Sequence, residues 1–173
     1  MSEPLQRNIE LKAIYPDLDR ARAALENLGA VFTRSMAQLD TYFRVSNGRL
    51  KLREIDNRFA ELIWYDRPDA VEYRGSHYTV VSVPDPATLK TALIAANGLR
   101  GEVRKTRDLW MYRNVRIHLD TVAGLGNFIE FEAVMSAGED ETASLKRLQE
   151  LHAALEISKS DHKAASYSDL LGL

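Results

Sequence analysis

The chain has 173 residues, of which 45% are hydrophobic and 28% are charged, and this balance predicts a globular protein with a substantial core. It contains no cysteine, so disulfides, thiolate metal ligands and cysteine nucleophiles are excluded. The formal net charge of -2 disfavours a general nucleic-acid binder, and no apolar run is long enough to span a bilayer. Because residues 1–10 also lack signal-peptide features, we expect a cytoplasmic protein with one domain over residues 1–173.

The N-terminal third predicts a strand, a helix and a hairpin in that order. Apolar and polar residues alternate over 7–15, which indicates a strand. Helical spacing of apolar residues then predicts a surface helix that begins at Asp17 and ends at Gly29. A hairpin is expected over 36–53, with its turn at 47–48.

The middle of the chain predicts two more strands and a second helix. The strands are expected at 60–67 and 77–83, with a polar connection over 69–76 between them. The helix is expected over 86–97, after an aspartate N-cap and a proline at the first helical position. Its predicted buried stripe consists of Leu89, Leu93 and Ile94.

The C-terminal third predicts two linked hairpins and a long helix. The first hairpin is expected over 102–120 with its turn at 113–114, and its returning strand opens the second, over 115–134. The helix is expected over 137–157, and its inward residues are Leu145, Leu148, Leu151 and Leu155. Strands and helices in this order predict an α+β domain of antiparallel hairpins covered by three helices.

Nearly every predicted strand has one apolar face and one ionisable face. In the 115–134 hairpin, Asp120, Glu130 and Glu132 share a face, which is unfavourable unless a cation or water separates the carboxylates. The hairpin by itself fits two interpretations, a solvated polar face or a site for Mg2+ or Mn2+. We interpret the side chains of His77, His152 and His162 as surface groups.

Strands with this pattern predict a barrel whose outside packs under helices and whose interior is polar. The basic residues of the candidate interior are Lys12, Arg49, Lys51, Arg53, Arg67, Lys105, Arg107 and Arg116. The acidic residues are Glu10, Asp120, Glu130 and Glu132. Because enclosed ions are costly to desolvate, we expect a strongly anionic guest accompanied by a metal, and a triphosphate with Mg2+ fits both sets of charges.

The chain resembles the CYTH family, the triphosphate tunnel metalloenzymes, in seven segments that occur in order: NIELKA, QLDTYF, GRLKLR, AELIWYDRPD, VRKTRDLW, RIHLDTVAGLGNFIEFE and SYSDLL. It is most similar to the class IV adenylate cyclase branch, and the resemblance covers nearly the whole chain. It implies an eight-stranded antiparallel β-barrel, the tunnel, which binds a triphosphate with Mg2+ or Mn2+. It also implies either hydrolysis of that triphosphate or conversion of ATP to cyclic AMP and pyrophosphate.

The resemblance also implies roles for individual residues. Glu10 and Lys12 match the end of the family's ExExK signature and are the expected catalytic residues. The phosphate contacts are expected from Lys12, Arg49, Lys51, Arg53, Arg67, Lys105, Arg107 and Arg116. The metal ligands are expected to be Glu10, Asp120, Glu130 and Glu132, with Asn8 as a further candidate.

The chain departs from the signature at Asn8, which stands where the first Glu is expected. An amide oxygen can bind Mg2+ but brings no charge, so metal affinity should fall and one ion should bind in place of two. The leading hypothesis is hydrolysis of an inorganic, thiamine or nucleoside triphosphate, followed by class IV adenylate cyclase activity. A third hypothesis is a nucleotide- or polyphosphate-binding module without turnover. The expected partner is a small triphosphate, with no nucleic acid and no membrane, and the expected state is a monomer or homodimer.

Overall fold

The structure, a computed structural model, describes residues 6–66, 74–135 and 141–173. The strands are β1 (Gln6–Ile14), β2 (Val31–Phe43), β3 (Arg49–Ile55), β4 (Phe59–Asp66), β5 (Arg74–Ser82), β6 (Leu99–Tyr112), β7 (Val115–Val122) and β8 (Gly126–Met135). The helices are α1 (Leu18–Asn27), α2 (Pro86–Asn97), α3 (Glu141–Ala154) and α4 (Tyr167–Leu170), with a 3-10 turn at Lys159–Asp161. None of these helices combines the length and apolar character needed to cross a membrane.

The eight strands form a closed barrel in the order β1-β5-β4-β3-β2-β6-β7-β8. β1 closes the ring because it pairs with β5 on one side and with β8 on the other, and both pairings are antiparallel. In the β1–β8 pairing, Glu10 lies opposite Glu132 and Lys12 lies opposite Glu130. The predicted eight-stranded antiparallel barrel is therefore confirmed.

The main hydrophobic core lies outside the barrel, under α1 and α3. The outward residues of β7 and β8, such as Ile117 and Phe131, pack with Leu25 of α1 and with Leu148 and Leu151 of α3. All five of these side chains are essentially inaccessible to solvent. Since side chains alternate across a strand, burying the apolar set outside leaves the ionisable set facing inward.

The second helix covers its part of the barrel less completely. No residue of α2 is fully buried. Leu89 and Leu93 are partly buried against a small apolar cluster on the outside of the barrel, whereas Ile94 is 38% exposed. The predicted stripe is thus correct for the two leucines and wrong for Ile94, because the helix rests on the sheet along a narrow line of contact.

The described elements differ from the sequence-based ones in several places, among them the starts of β2 at Val31 and of β6 at Leu99, where 36 and 102 were expected. β5 begins at Arg74, inside the expected polar connection, and α3 ends at Ala154, before Ile157. The short helix α4 was not predicted, because four residues are too few for a helical repeat to be visible. It is held by a capping box in which the side chains of Ser166 and Asp169 each accept from the other's backbone N–H.

Stability should depend on the α3 contact with the barrel. Leu151→Ala should lower the free energy of unfolding by about 2–5 kcal/mol, since it leaves a cavity in a fully buried site. The matched control is Leu99→Ala, at a position that is 42% exposed, which should cost less than about 0.5 kcal/mol. Urea denaturation measures both values, and equal losses would contradict the placement of the core.

Candidate active site

The interior of the barrel is a cavity of about 480 Å3. Every strand contributes to its lining, because each one turns alternate side chains inward. The ionisable side chains of this lining are Glu10, Lys12, Arg34, Tyr42, Lys51, Arg53, Glu61, Tyr65, Tyr78, Lys105, Arg107, Arg116, His118, Glu130, Glu132 and Tyr167. The predicted polar interior is therefore present, and we call this cavity the tunnel.

One wall of the tunnel is organised around Asp120, which is fully buried. Arg107 grips its carboxylate with two hydrogen bonds, from Nε at 2.7 Å and from Nη2 at 2.6 Å. The Tyr167 hydroxyl donates to the same carboxylate at 2.8 Å, and Lys105 Nζ lies 3.5 Å away. Burial opposes ionisation of Asp120, but the charges of Arg107 and Lys105 outweigh it and hold its pKa well below the usual range.

A second buried carboxylate, Asp40, organises the basic residues of β3. Arg53 donates to it from Nε and Nη2, both at 2.7 Å, and Lys51 Nζ lies 3.1 Å away. Burial again opposes ionisation, and the charges of Arg53 and Lys51 hold the pKa of Asp40 well below its usual range. Each buried carboxylate thus holds two cations at the tunnel wall.

The two central lysines are less basic than lysine in water. Burial lowers the pKa of Lys105 to about 7, and the charge of Arg107 acts in the same direction. Burial and the charge of Arg53 lower the pKa of Lys51 to about 8. A bound anion would favour the protonated form of both groups, so anion binding near pH 8 should be coupled to proton uptake.

Glu130 lies on β8, next to the strand that carries Asp120, and is contacted by two cations and a histidine. Arg107 Nη2 donates to it at 2.9 Å, and Lys12 Nζ lies 3.8 Å from its other oxygen. His118 Nδ1 is 3.4 Å from the carboxylate. Lys12 also stands over the Tyr167 ring, with Nζ 4.1 Å from the ring centroid. Burial opposes ionisation of Glu130, but Lys12 and the His118 hydrogen bond hold its pKa well below the usual range.

The side chains of Asn8, Glu10 and Glu132 meet where β1 pairs with β8. Asn8 donates through its amide nitrogen to Glu132 Oε1. The other amide atom, Oδ1, is buried and has no hydrogen-bond partner among the described residues. A buried polar atom of this kind marks a place for water, an ion or a ligand. This group fits a divalent metal, since two carboxylates and an amide oxygen are ligands that Mg2+ and Mn2+ accept.

Within residues 6–66, 74–135 and 141–173, no three His, Asp or Glu side chains converge tightly enough to hold an ion by themselves. Magnesium does not require such a cage, because it commonly binds through one or two carboxylates together with substrate phosphates and water. The donor set therefore suits an ion that arrives with a phosphate ligand.

The other predicted site residues occupy different places. Arg116 lines the tunnel, but its side chain is 45% exposed and pairs with Glu132 at 3.5 Å. Arg49 lies outside the tunnel lining and is paired with Asp169 of α4 at 3.0 Å. Arg67 falls outside the described residues. Asp120 is in the predicted wall, and its role as a metal ligand stays a prediction, since an ion would have to displace Arg107 or Tyr167 from it.

Sequence reasoning assigned no role to Asp40, Tyr42, His118 or Tyr167, all of which are buried at the tunnel. Strand parity could have found the first three, because each alternates with outward apolar residues of its strand. Tyr167 has no such signal, since it enters the tunnel from α4. Of the three histidines expected at the surface, His77 is exposed. His152 and His162 are half-buried, with their Nε2 atoms 2.9 Å apart.

The fold and the site together define a protein with a closed antiparallel barrel and a polar, charge-lined interior. Comparison with known proteins shows the family to which this chain belongs. The model of the CYTH domain matches residues 6–167, so the chain belongs to the CYTH family. A protein of Methanocaldococcus jannaschii, provisionally named adenylate cyclase, is 26% identical over 175 residues, which cover 95% of this chain and 98% of the relative.

Solved structures show the same fold. A protein of Pyrococcus horikoshii superposes with a TM-score of 0.84 at 23% identity, covering 94% of this chain and 98% of the other. A provisionally named adenylyl cyclase of Hippeastrum, described as having a dominant triphosphatase activity, superposes with a TM-score of 0.68 at 13% identity. That match covers 96% of this chain and 94% of the other.

The Asp120 network should make stability depend on pH in a defined direction. Asp120→Asn should cost about 3 kcal/mol near pH 7, because it removes the buried carboxylate that Arg107 and Lys105 share and leaves Arg107 with Glu130 alone. The folded-state pKa of Asp120 is depressed, so its contribution is complete above the unfolded pKa of about 4 and is lost as pH falls further. The difference between wild type and variant should therefore shrink below pH 4.

Denaturation of both proteins between pH 2 and pH 7 measures this difference. The control is Asp19→Asn, since the side chain of Asp19 is 93% exposed, and it should cost less than about 1 kcal/mol. A gap between wild type and Asp120→Asn that stays constant over the whole pH range would contradict the proposed ion pairs.

Proposed function

We propose that this protein binds a triphosphate together with Mg2+ or Mn2+ in the tunnel and hydrolyses it. The observation that carries the proposal is the arrangement of charges around the ring of strands. Lys51 and Arg53 lie on β3, which is four strands away from β8 in either direction, and β8 carries Glu130 and Glu132. The β3 cations therefore lie across the tunnel from the β8 carboxylates, an arrangement that suits a triphosphate bound together with a metal.

The family and its named members support an enzyme of this kind. Metal dependence is general among the triphosphate tunnel enzymes of the CYTH family. The Methanocaldococcus relative carries the provisional name of an adenylate cyclase, and the Hippeastrum structure is described by a dominant triphosphatase activity. Both reactions attack a phosphorus atom of a triphosphate, and they differ in the nucleophile.

We assign phosphate binding to the buried cations of the tunnel. Arg53 and Arg107 present guanidinium groups that Asp40 and Asp120 hold in a fixed orientation. Such preorganised donors stabilise charge that develops on a transferring phosphoryl group without reorganising at the moment of reaction. Lys51, Lys105 and Lys12 add point charges along the same cavity. Asp120 in this scheme positions Arg107, and the predicted role of Asp120 as a metal ligand would require Arg107 or Tyr167 to leave it.

We assign the metal site to Glu10 and Glu132, with Glu130 and the Asn8 Oδ1 atom as further ligands. A divalent ion held there would neutralise negative charge on the phosphate oxygens. Glu10 and Lys12 are the proposed catalytic residues: Glu10 orients the attacking water by accepting a hydrogen bond, and Lys12 stabilises the developing charge. Both side chains are buried in the tunnel, which keeps their interactions strong.

Class IV adenylate cyclase activity is the second candidate. The tunnel lining includes an apolar group, Met36, Ile55, Ile63, Val80 and Leu109, which could pack against an organic substituent of the triphosphate. In that reaction the ribose 3'-hydroxyl replaces water as the nucleophile. The charged wall of the tunnel suits both reactions equally. Hydrolysis is the leading proposal because it requires only a bound water as the nucleophile.

Product analysis tests the proposal directly. Purified protein should release phosphate from tripolyphosphate, thiamine triphosphate or ATP with Mg2+ or Mn2+, and anion-exchange chromatography identifies the products. Glu132→Gln should lower kcat/KM by at least about a hundredfold, because it removes a metal ligand of the transition state. Glu26→Gln, on the exposed part of α1, is the matched control and should leave kcat/KM unchanged.

Each alternative outcome has a distinct meaning. Cyclic AMP with pyrophosphate would establish the cyclase. Triphosphate binding without any product would identify a binding module, and full activity of Glu132→Gln would refute the metal site.

The low lysine pKa values predict how binding depends on pH. Without metal, the affinity for tripolyphosphate should fall as pH rises from 6.5 to 9.5, because Lys105 and Lys51, with pKa values of about 7 and 8, lose their charge. At pH 8, binding should take up protons, which calorimetry in two buffers of different ionisation enthalpy measures. Lys105→Arg keeps the charge at all these pH values, so it should take up fewer protons. Equal proton uptake by both proteins would contradict the assignment.

A further inference from the structure

A second cavity, of about 380 Å3, lies beyond Tyr42, whose side chain lines both this cavity and the tunnel. We call it the rear cavity, and its lining consists of Tyr42, Phe43, Arg44, Val45, Gly48, Arg49, Arg100 and Leu173. It is formed by the β2–β3 loop, the start of β6 and the C-terminal residues. The rear cavity is the place where the structure puts Arg49, which sequence reasoning had expected in the tunnel.

Three guanidinium groups line the rear cavity, and one carboxylate side chain is shared between two of them. Asp169 of α4 is 3.0 Å from Arg49 Nη2 and 2.5 Å from Arg100 Nη2. The hydroxyl and the backbone N–H of Ser166 also donate to Asp169. Arg44 is held through a hydrogen bond from Nε to the Leu99 carbonyl at 3.2 Å, a neutral acceptor. Arg100 Nε also donates to the Leu173 main-chain oxygen at 3.0 Å. Three guanidinium groups thus converge on this cavity, and two of them share the Asp169 carboxylate.

The rear cavity adjoins the tunnel along β3. β3 carries a cation at every second residue, with Arg53 and Lys51 in the tunnel and Arg49 in the rear cavity. The rings of Tyr42 and Tyr65 stand beside this row, and Lys51 Nζ lies 5.6 Å and 5.4 Å from their centroids. Arg49 Cζ lies 5.9 Å from the centroid of the Tyr65 ring. The three cations of β3 therefore form one row that begins in the tunnel and ends in the rear cavity.

We propose that the rear cavity is a second anion site, which binds inorganic phosphate or pyrophosphate. Guanidinium groups stay charged at every relevant pH, and their paired donors match phosphate oxygens. Arg44 is held by a neutral carbonyl, and Arg49 and Arg100 share one carboxylate, so all three guanidinium groups are held at the cavity. The identification of the ligand as the inorganic product of the tunnel rests on the proposed function, whereas the phosphate site itself does not.

Titration calorimetry with inorganic phosphate and with pyrophosphate, in EDTA, tests the site without any turnover. Arg44→Gln is the sharpest variant, because Arg44 contacts backbone whereas Arg100 also braces α4. Arg44→Gln should lower the affinity of the rear site for phosphate and pyrophosphate by roughly tenfold or more. Arg104→Gln removes an equal charge from β6, on a side chain that is 67% exposed and does not line the rear cavity, and should change nothing.

Arg53→Gln separates the two cavities. It should weaken binding in the tunnel and leave the site that Arg44 controls intact. The proposal is overturned if Arg44→Gln binds both anions like wild type, or if Arg53→Gln abolishes all binding. If wild type does not hydrolyse triphosphates but Arg44→Gln weakens phosphate binding, the rear site stands and the proposed function is refuted. If wild type hydrolyses them and Arg44→Gln does not change phosphate binding, the proposed function stands and the rear site is refuted.

Discussion

The grip of Arg107 on the buried carboxylate of Asp120 is the interaction on which the tunnel depends. A barrel that encloses ionisable side chains must compensate for their lost hydration, and an isolated buried ion costs several kcal/mol. Asp120 and Asp40 meet this requirement from the wall itself, since each holds an arginine and a lysine at hydrogen-bond or ion-pair distance. The cations are therefore present and oriented before any ligand arrives, which is the condition for electrostatic catalysis.

The same constraint explains why the hydrophobic core lies outside the barrel. Much of the interior is ionisable and supplies only a smaller apolar cluster, so the largest cluster forms where the outward faces of β1, β7 and β8 pack under α1 and α3. Coverage is complete there and partial under α2, where the cluster around Leu52 is smaller. The carboxylates of β8 consequently lie on the strand that packs against the main hydrophobic core. A rigid support of this kind suits a site that must hold a metal with a triphosphate.

The C-terminal segment joins the tunnel and the rear cavity through two neighbouring side chains of α4. Tyr167 reaches the tunnel, where it donates to Asp120 and packs against Lys12, while Asp169 holds Arg49 and Arg100. The same short helix therefore contacts the tunnel wall and the arginines of the rear cavity.

The sequence by itself determined the strands, the parity of their charged residues and the covering helices, because alternation and helical spacing are local properties. It also identified Lys12, Arg53, Lys105 and Arg107 as interior cations, since parity alone assigns a face. Only the tertiary structure decided which charges pair and which remain for a ligand. Arg49 has the parity of Arg53 but lies in another cavity, and Asp120 is committed to cations, because these outcomes depend on contacts between residues far apart in the chain.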